Sequence, residues 1–182
     1  MSRCMRTLSS VVERSVHIGE VTGPIPVAST RKSDGVGCEN KMTMEIKTKL
    51  GEVGLNLDNA IVIGSGILNA LSIRESGDVD VVVREEKYQE LARGGRFKKE
   101  QNHGHEVLFD GVLEIGTGWD VIGKMWKFDD LLARSIVMDG VRYNTIEFLL
   151  DVKRRWVADG EGRPKDIKDV ELMERYLSDL KK

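Results

Sequence analysis

The 182-residue chain has only two cysteines, Cys4 and Cys38, which make neither a zinc-type cluster nor a disulfide framework. It has no apolar run near the ~18 residues that a membrane helix needs, so we expect no membrane partner. Its net charge of −2 gives no general excess of basic residues, as a nucleic-acid-binding domain would have. These absences favour one globular domain, which we expect to be cytoplasmic.

Aromatic residues are also scarce, at 5% of the chain. We interpret Trp119, Trp126 and Trp156 as packing residues rather than platforms for nucleobases. His103 and His105 have a spacing that would suit a metal on one face of a strand. No third soft ligand accompanies them, so we expect both to be surface histidines.

Residues 1–43 differ in composition from the rest of the chain. They are rich in Ser, Thr, Gly and Val, show no sustained helical or strand period, and lack the apolar segment of a secretory signal. Their sequence, which includes Gly23-Pro24-Ile25-Pro26, resembles the conceptual translation of a tRNA gene that lies upstream of the true start codon. The true start would then be Met42 or Met44. The alternative is a genuine disordered tail. Both interpretations leave a single domain at 44–182.

The most informative stretch begins with an apolar strand, Ala60 to Ile63, as expected for a central strand covered on both faces. Gly64-Ser65-Gly66 follows and opens a short helix that we expect from Ser65 to Ile73. Backbone N–H groups at such a turn, together with a helix N-terminus, favour phosphate. A second strand is predicted from Asp78 to Arg84.

Two carboxylates, Asp78 and Asp80, open this second strand. Because side chains alternate along a strand, both should point to the same side. Adjacent like charges raise each other's pKa unless a cation lies between them. Hard cations such as Mg²⁺ bind carboxylate oxygens and usually keep phosphate as a further ligand. The stretch therefore predicts a phosphate cradle beside a metal-binding pair.

The order of apolar strand, Gly-Ser, twelve further residues and Asp-apolar-Asp-apolar resembles the nucleotidyltransferase superfamily with the DNA polymerase β-type fold. Arg74 and Ser76, just ahead of Asp78, also fit that family. The resemblance implies an α/β (α+β) domain with a mixed twisted sheet and flanking helices. It also implies that Asp78 and Asp80 hold Mg²⁺ during transfer of a nucleoside monophosphate from a nucleoside triphosphate to an acceptor, with release of pyrophosphate.

A third carboxylate is expected on a later strand, and Glu114 is the candidate. It lies within Val112-Leu113-Glu114-Ile115, in the second arm of a hairpin predicted at Asp110-Gly111. A charge in an apolar strand needs a partner or a metal. The resemblance implies that Glu114 completes the metal site, although many family members carry Asp there. The alternatives are a solvent-facing Glu114 on an edge strand, and Asp120, interpreted as loop, as the third ligand.

The resemblance also implies which residues bind the triphosphate. Gly64 and Ser65 would contact the β- and γ-phosphates, and Arg74, Lys153 or Lys165 would assist. Ser65 could equally serve as a helix N-cap. Both roles can hold at once, because a set of cap donors is also an anion site.

A second pattern joins Lys153 to Arg163-Pro164-Lys165-Asp166 and Asp169. It resembles the carboxy-terminal segment of small bacterial nucleotidyltransferase-like proteins, including toxin-type members, where the segment lies near the mouth of the active site. Its cations could neutralise triphosphate charge. The alternative is a basic helix end with a capping aspartate.

Periodicity and turn residues predict the remaining elements. Further helices are expected at about 42–54, Glu85 to Arg93, Phe128 to Arg134, Thr145 to Ala158 and from Pro164 onward. An Asn144…Glu147 capping box should open the fourth of these. The last should bury a stripe made of Ile167, Val170, Met173, Leu177 and Leu180. A hairpin is expected at Asp139-Gly140, and Val121-Ile122-Gly123 is ambiguous.

The acceptor is not readable from these motifs, and a small molecule, a tRNA or a protein all stay open. One alternative to an enzyme is a toxin–antitoxin or regulatory module that uses the same fold to modify or bind a partner. Another is a degenerate nucleotidyltransferase fold that has lost activity.

Overall fold

A computed structural model describes residues 41–182, with side chains from Glu45 onward, and the predictions for residues 1–40 lie outside the described residues. The helices are α1 (Lys41–Glu52), α2 (Gly66–Ala70), α3 (Glu85–Arg93), α4 (Phe128–Leu132), α5 (Ile146–Ala158) and α6 (Pro164–Asp179). The strands are β1 (Ala60–Ile63), β2 (Val79–Val83), β3 (Lys98–Asn102), β4 (His105–Phe109), β5 (Leu113–Gly116), β6 (Gly118–Val121), β7 (Lys124–Lys127), β8 (Ser135–Met138) and β9 (Val141–Asn144).

Seven of these strands form one mixed sheet in the order β3-β4-β5-β2-β1-β9-β8. The pairs β1–β9 and β2–β5 are parallel, and the other neighbours are antiparallel. Strands β6 and β7 make a separate hairpin. The predicted fold class, a mixed sheet with flanking helices, is confirmed.

Strand β1 is buried along its whole length, as its apolar sequence predicted. Its alternate residues enter two different cores. Val62 belongs to a first cluster with Val81 and Ile115 of the sheet, which also includes Ile46, Leu50, Ile67, Leu68, Tyr88, Leu149 and Met173 of the helices. A second cluster contains Ile61, Ile63, Val82, Val121, Phe128, Leu131, Phe148 and Val152. The central strands are therefore fixed from both faces.

Both Asp-Gly hairpins form where they were predicted. Asp139 and Gly140 have φ values of 50° and 77°, the left-handed pair that a tight two-residue turn needs. At the β4–β5 turn, Asp110 Oδ1 accepts hydrogen bonds from the backbone N–H groups of Val112 (3.1 Å) and Leu113 (2.9 Å). These two turns set the register of the strands that they join.

The β6–β7 hairpin was not predicted. It turns at Ile122 and Gly123, with φ values of 53° and 73°. A β-branched residue in the left-handed region is uncommon, so this turn carries no recognisable sequence signal. The prediction that Asp120 lies in a loop is wrong, because Asp120 is a β6 residue paired with Met125.

Helix α5 begins at the predicted place with a different cap. Thr145, rather than Asn144, is the N-cap, and its hydroxyl accepts from the Phe148 backbone N–H at 3.3 Å. Asn144 instead ends β9 and is fully buried.

The predicted stripe on α6 is only partly correct. Met173 is buried, but Ile167 and Leu180 are exposed. The buried α6 residues are Asp166, Asp169 and Met173, so the inward face of the helix carries two carboxylates.

Within residues 41–182, none of the helices combines the length and the apolar character that crossing a membrane requires.

Candidate functional site

The Gly64–Ser65 turn follows β1 and opens the short helix α2. Gly64 has φ +63°, and a Cβ atom there would lie 3.1 Å from Asp80 Oδ2. Ser65 is the N-cap residue of α2, but its side chain makes no capping hydrogen bond. Its Oγ lies instead 3.0 Å from Ser76 Oγ. The turn therefore leaves the α2 N-terminus without a side-chain cap and brings the backbone against Asp80.

Two of the three candidate carboxylates, Asp80 and Glu114, lie opposite each other on neighbouring central strands. Asp80 lies on β2, directly opposite Ile63 of β1 on one side and Glu114 of β5 on the other. Asp78 precedes β2, which begins at Val79 rather than at the predicted Asp78. Asp80 and Glu114 are half-buried and Asp78 is exposed. The register thus places the two candidate ligands of the central strands side by side on one face of the sheet.

Asp80 carries the clearest electrostatic signature of the site. Burial, followed by the negative charges of Asp78 and Glu114, raises the pKa of Asp80 from its ordinary 3.8 to about 7. The positive charges of Lys165 and Arg163, at the start of α6, act in the opposite direction. A carboxylate crowded in this way gains from a cation placed beside it.

Hydrogen bonds hold the other two carboxylates. Asn102 Nδ2 donates to Glu114 Oε1 at 2.6 Å, and Ser76 Oγ donates to Asp78 Oδ1 at 3.1 Å. In the part of the chain that the structure describes, no three His, Cys, Asp or Glu side chains converge into a metal cluster. Asp80 and its neighbours fit Mg²⁺ in donor type and in charge, with phosphate and water needed to complete its ligands.

Asn69 and Asn102 also contact residues of the site, and neither was predicted from the sequence. Asn69 is 4% exposed on α2; its Oδ1 accepts from the Ser76 backbone N–H (3.1 Å) and its Nδ2 donates to the Ser76 carbonyl (3.3 Å). A polar residue between Leu68 and Ala70 of a buried helix needs such partners, and this was the available signal. Asn102, at the end of an exposed strand, gives no comparable signal.

Lys153 and Arg74 have contacts that differ from the predicted phosphate binding. Lys153 is 3% exposed, and its Nζ lies 2.5 Å from Asp166 Oδ1 and 2.9 Å from Asp169 Oδ2. Arg74 donates two hydrogen bonds to Asp169, from Nε to Oδ1 at 2.5 Å and from Nη2 to Oδ2 at 2.8 Å. Both cations are neutralised by buried carboxylates. Their observed contacts are thus internal ion pairs, and phosphate binding by either residue stays a prediction. Lys165 is exposed on the first turn of α6.

Asp166 and Asp169 remain charged despite their burial. Burial acts to raise the pKa of Asp166, but the hydrogen bonds from Arg163 and Lys153 outweigh it and lower that pKa. In the same way, hydrogen bonds from Arg74 and Lys153 lower the pKa of Asp169 against the effect of burial. Asp166 also accepts from the Arg163 backbone N–H at 3.0 Å, which makes it the capping aspartate of the alternative interpretation.

The remaining polar and aromatic candidates lie elsewhere in the fold. His103 and His105 are exposed, and His105 Nε2 lies 3.5 Å from Asp120 Oδ2. Trp119 and Trp126 pack edge-on against Phe148 of the second cluster. Trp156 is packed against the same cluster, so all three tryptophans are packing residues as predicted.

Replacing Gly64 by alanine should cost stability twice over. We expect the free energy of unfolding to fall by about 2 kcal/mol, from the left-handed backbone and from contact with Asp80. Gly160→Ala, at φ +77° with open space around it, should cost about 1 kcal/mol. Gly77→Ala has neither problem and should be near neutral. Urea unfolding of the three variants measures the order, and equal values for Gly64→Ala and Gly77→Ala would contradict it.

The raised pKa of Asp80 predicts a specific dependence of stability on pH. The folded chain holds a proton that the unfolded chain releases between pH 3.8 and about 7, so the free energy of unfolding falls as pH rises through this window. Asp80→Asn removes this loss. The variant should exceed the wild type by about 2 kcal/mol at pH 8, since water reaches part of the carboxylate, and should match it near pH 4.

Thermal or urea unfolding at the two pH values tests this difference. Adding Mg²⁺ at pH 8 should stabilise the wild type and leave Asp80→Asn unchanged. Asp120→Asn, at an exposed β6 position, serves as the control and should stay within about 0.5 kcal/mol of the wild type at both pH values. An Asp80→Asn chain that is less stable than the wild type at pH 8 would refute the assignment.

The chain was compared with known proteins. No family model matches it, and no curated protein matches it. It is similar to a crystal structure of ANT(2")-Ia in complex with adenylyl-2"-tobramycin, with 19% identity and a TM-score of 0.48 over 75% of this chain and 89% of that chain. It is also similar to a solution structure of the antibiotic-resistance factor ANT(2'')-Ia, with 15% identity and a TM-score of 0.49 over 75% of this chain and 82% of that chain.

Proposed function

We propose that this chain is a Mg²⁺-dependent nucleotidyltransferase that moves a nucleoside monophosphate from a nucleoside triphosphate to an acceptor and releases pyrophosphate. One observation carries the proposal. Asp80, between Asp78 and Glu114 and against the Gly64 turn, has its pKa raised to about 7. The crowded carboxylates favour a neighbouring cation, which Mg²⁺ would supply. The turn beside them is suited to phosphate, which a nucleoside triphosphate would supply.

We assign a role in this reaction to each candidate residue. Asp78 and Asp80 would hold Mg²⁺, and Glu114 would complete the site on the acceptor side. The backbone N–H groups of Gly64 and Ser65 would bind the β- and γ-phosphates. Lys165 would add positive charge, since its field already acts on Asp80. Bound Mg²⁺ would stabilise the charge on the attacking and leaving oxygens of an in-line displacement.

In the proposed step, an oxygen of the acceptor hydroxyl bonds to the α-phosphorus. The bond from that phosphorus to the oxygen bridging toward the β-phosphorus breaks, and pyrophosphate leaves with the bonding electrons. Glu114 takes the hydroxyl proton on Oε2, because Asn102 already donates to Oε1. We further propose that the chain belongs to the nucleotidyltransferase superfamily, that residues 44–182 are its functional domain and that it acts in the cytoplasm.

A screen with nucleoside triphosphates labelled on the α-phosphate tests the proposal. Each of the four is incubated with the chain, Mg²⁺ and pools of metabolites, tRNA or proteins. We expect label to appear on one pool in step with pyrophosphate release, and to disappear without Mg²⁺ or with Asp80→Asn. No transfer to any pool, or transfer that Asp80→Asn leaves unchanged, would refute the activity.

A second candidate is a module that binds a nucleotide or a partner without transferring anything. It is favoured by the hydrogen bond that already occupies Glu114 Oε1 and by the lack of a converged cluster of three ligands within the described residues. Mg²⁺-dependent nucleotide binding without label transfer would support it. If expression is toxic to cells, relief by Asp80→Ala would instead favour a catalytic toxin.

A further inference from the structure

One buried carboxylate, Asp169, joins three separate parts of the fold. It lies on α6 and is 1% exposed. Its Oδ1 accepts from Arg74 Nε at 2.5 Å, its Oδ2 accepts from Arg74 Nη2 at 2.8 Å, and Lys153 Nζ lies 2.9 Å from Oδ2. Asp169 therefore ties α5 and α6 to the segment that leads from α2 into β2.

That segment carries Asp78 and has no regular secondary structure from Arg74 to Asp78. Its own contacts are few and directional. Arg74 Nη1 donates to the Glu75 carbonyl at 2.7 Å, and the Ser76 hydroxyl donates to Asp78 Oδ1 at 3.1 Å. Asn69 holds the Ser76 backbone on both sides. Arg74 and Asn69 therefore fix the segment ahead of Asp78 from its two ends, Arg74 through Asp169 and Asn69 through Ser76.

We propose that Asp169 is a positioning residue, which fixes Arg74 and thereby holds Asp78 beside Asp80. The two-pronged guanidinium–carboxylate contact fixes both the direction and the distance of Arg74, which a single hydrogen bond would not do. The role concerns the proposed metal and nucleotide site and rests on that function for its purpose. The positioning itself can be measured without any ligand.

Asp166 provides a matched comparison within the same ion-pair network. It is also 1% exposed and also binds Lys153. Its other hydrogen bonds run to Arg163, and none of its described hydrogen bonds or ion pairs joins it to Arg74, which feels only its charge at longer range. Asp166→Asn and Asp169→Asn therefore remove the same charge from the same network, but only the second removes a direct partner of Arg74 and should release the segment before β2.

Amide hydrogen exchange tests the difference. The Ser76 N–H donates to Asn69 Oδ1 at 3.1 Å and the Val79 N–H donates to the Val112 carbonyl at 3.0 Å, so the two reporters flank Asp78. Under conditions that match global stability, Asp169→Asn should speed exchange at both amides by about tenfold. Asp166→Asn should leave both near the wild-type rate. Equal acceleration by the two variants, or none by Asp169→Asn, would overturn the positioning role.

Arg74→Lys keeps the test decisive if Asp169→Asn fails to fold. Arg74 is a quarter exposed, so lysine is tolerated there, and the change keeps the charge while removing the two-pronged contact. It should accelerate exchange at Ser76 and Val79 as Asp169→Asn does, and the double variant should add nothing further. Unchanged exchange in Arg74→Lys would overturn the role by itself.

Nucleotide binding then connects the positioning to the proposed function. Calorimetry with MgATP and MgGTP should show affinity weakened by about tenfold in Asp169→Asn and by less than about threefold in Asp166→Asn, since one carboxylate ligand is misplaced only in the first. If the wild type binds neither, the proposed function fails for these nucleotides. The exchange comparison still decides the role of Asp169 in that case.

Discussion

Lys153→Met is expected to lower the free energy of unfolding by about 3 kcal/mol, because it leaves Asp166 and Asp169 as buried charges with one partner fewer each. Methionine nearly matches lysine in length, so the loss reports the charge rather than a cavity. Arg74 and Arg163 keep a contact with one carboxylate each, which prevents a larger loss. Urea unfolding at pH 7 measures the change.

Arg154→Met is the matched control, one position along the same helix. Arg154 is half-exposed and pairs with Glu174 at the surface, where an ion pair contributes about 0–1 kcal/mol. A Lys153→Met loss no larger than that of Arg154→Met would contradict the buried network. It would also favour phosphate binding as the role of Lys153.

Asp80→Asn should reduce nucleotidyl transfer by at least about 10³-fold, which corresponds to about 4 kcal/mol of transition-state stabilisation. The change removes the central charge of the carboxylate group while its shape and hydrogen-bonding capacity stay similar. The rate is followed as labelled nucleoside monophosphate passing to the acceptor found in the screen, or to water.

The control for this change is Asp120→Asn, because Asp120 is exposed on β6 and pairs with His105. Its rate should stay within about twofold of the wild type, in line with the small energies of surface pairs. An Asp80→Asn variant that keeps more than about a tenth of the wild-type rate would show that Asp80 is not part of the reacting site.

The sequence was most informative where a local signal and the tertiary structure agree. The Asp139-Gly140 turn supplies the two left-handed residues that its hairpin requires, and α3 has its predicted bounds, Glu85–Arg93. The β6–β7 hairpin escaped prediction because Ile122 adopts a left-handed conformation that its side chain disfavours. Trp119 and Trp126, which lie opposite each other and both pack on Phe148, hold that hairpin in place through tertiary contacts.

In the site, too, contacts between neighbouring residues could be predicted from the sequence, and contacts between distant residues could not. Spacing alone indicated that Asp78 and Asp80 share a neighbourhood, and the parallel β2–β5 register then brings Glu114 opposite Asp80. The partners of Arg74 could not be inferred, since Asp169 is 95 positions away along the chain. Distant pairing of this kind leaves no trace in local patterns.

The orientation of helix α6 explains why the apolar stripe predicted for it was partly wrong. Its apolar stripe predicted an inward Ile167, yet Ile167 is 47% exposed. Asp166 and Asp169 occupy the inward face because Lys153 is buried opposite them, and a buried ammonium needs carboxylate partners more than Ile167 needs burial. Charge pairing thus sets the rotation of the helix.

The most direct test of the central claim is calorimetric titration of each nucleoside triphosphate into the wild type and into the double variant Asp78→Asn, Asp80→Asn, with and without Mg²⁺. We predict that at least one nucleoside triphosphate binds the wild type only with Mg²⁺, and that the double variant loses this binding. Unchanged affinity of the double variant for the Mg²⁺ complex would contradict the assignment of the site.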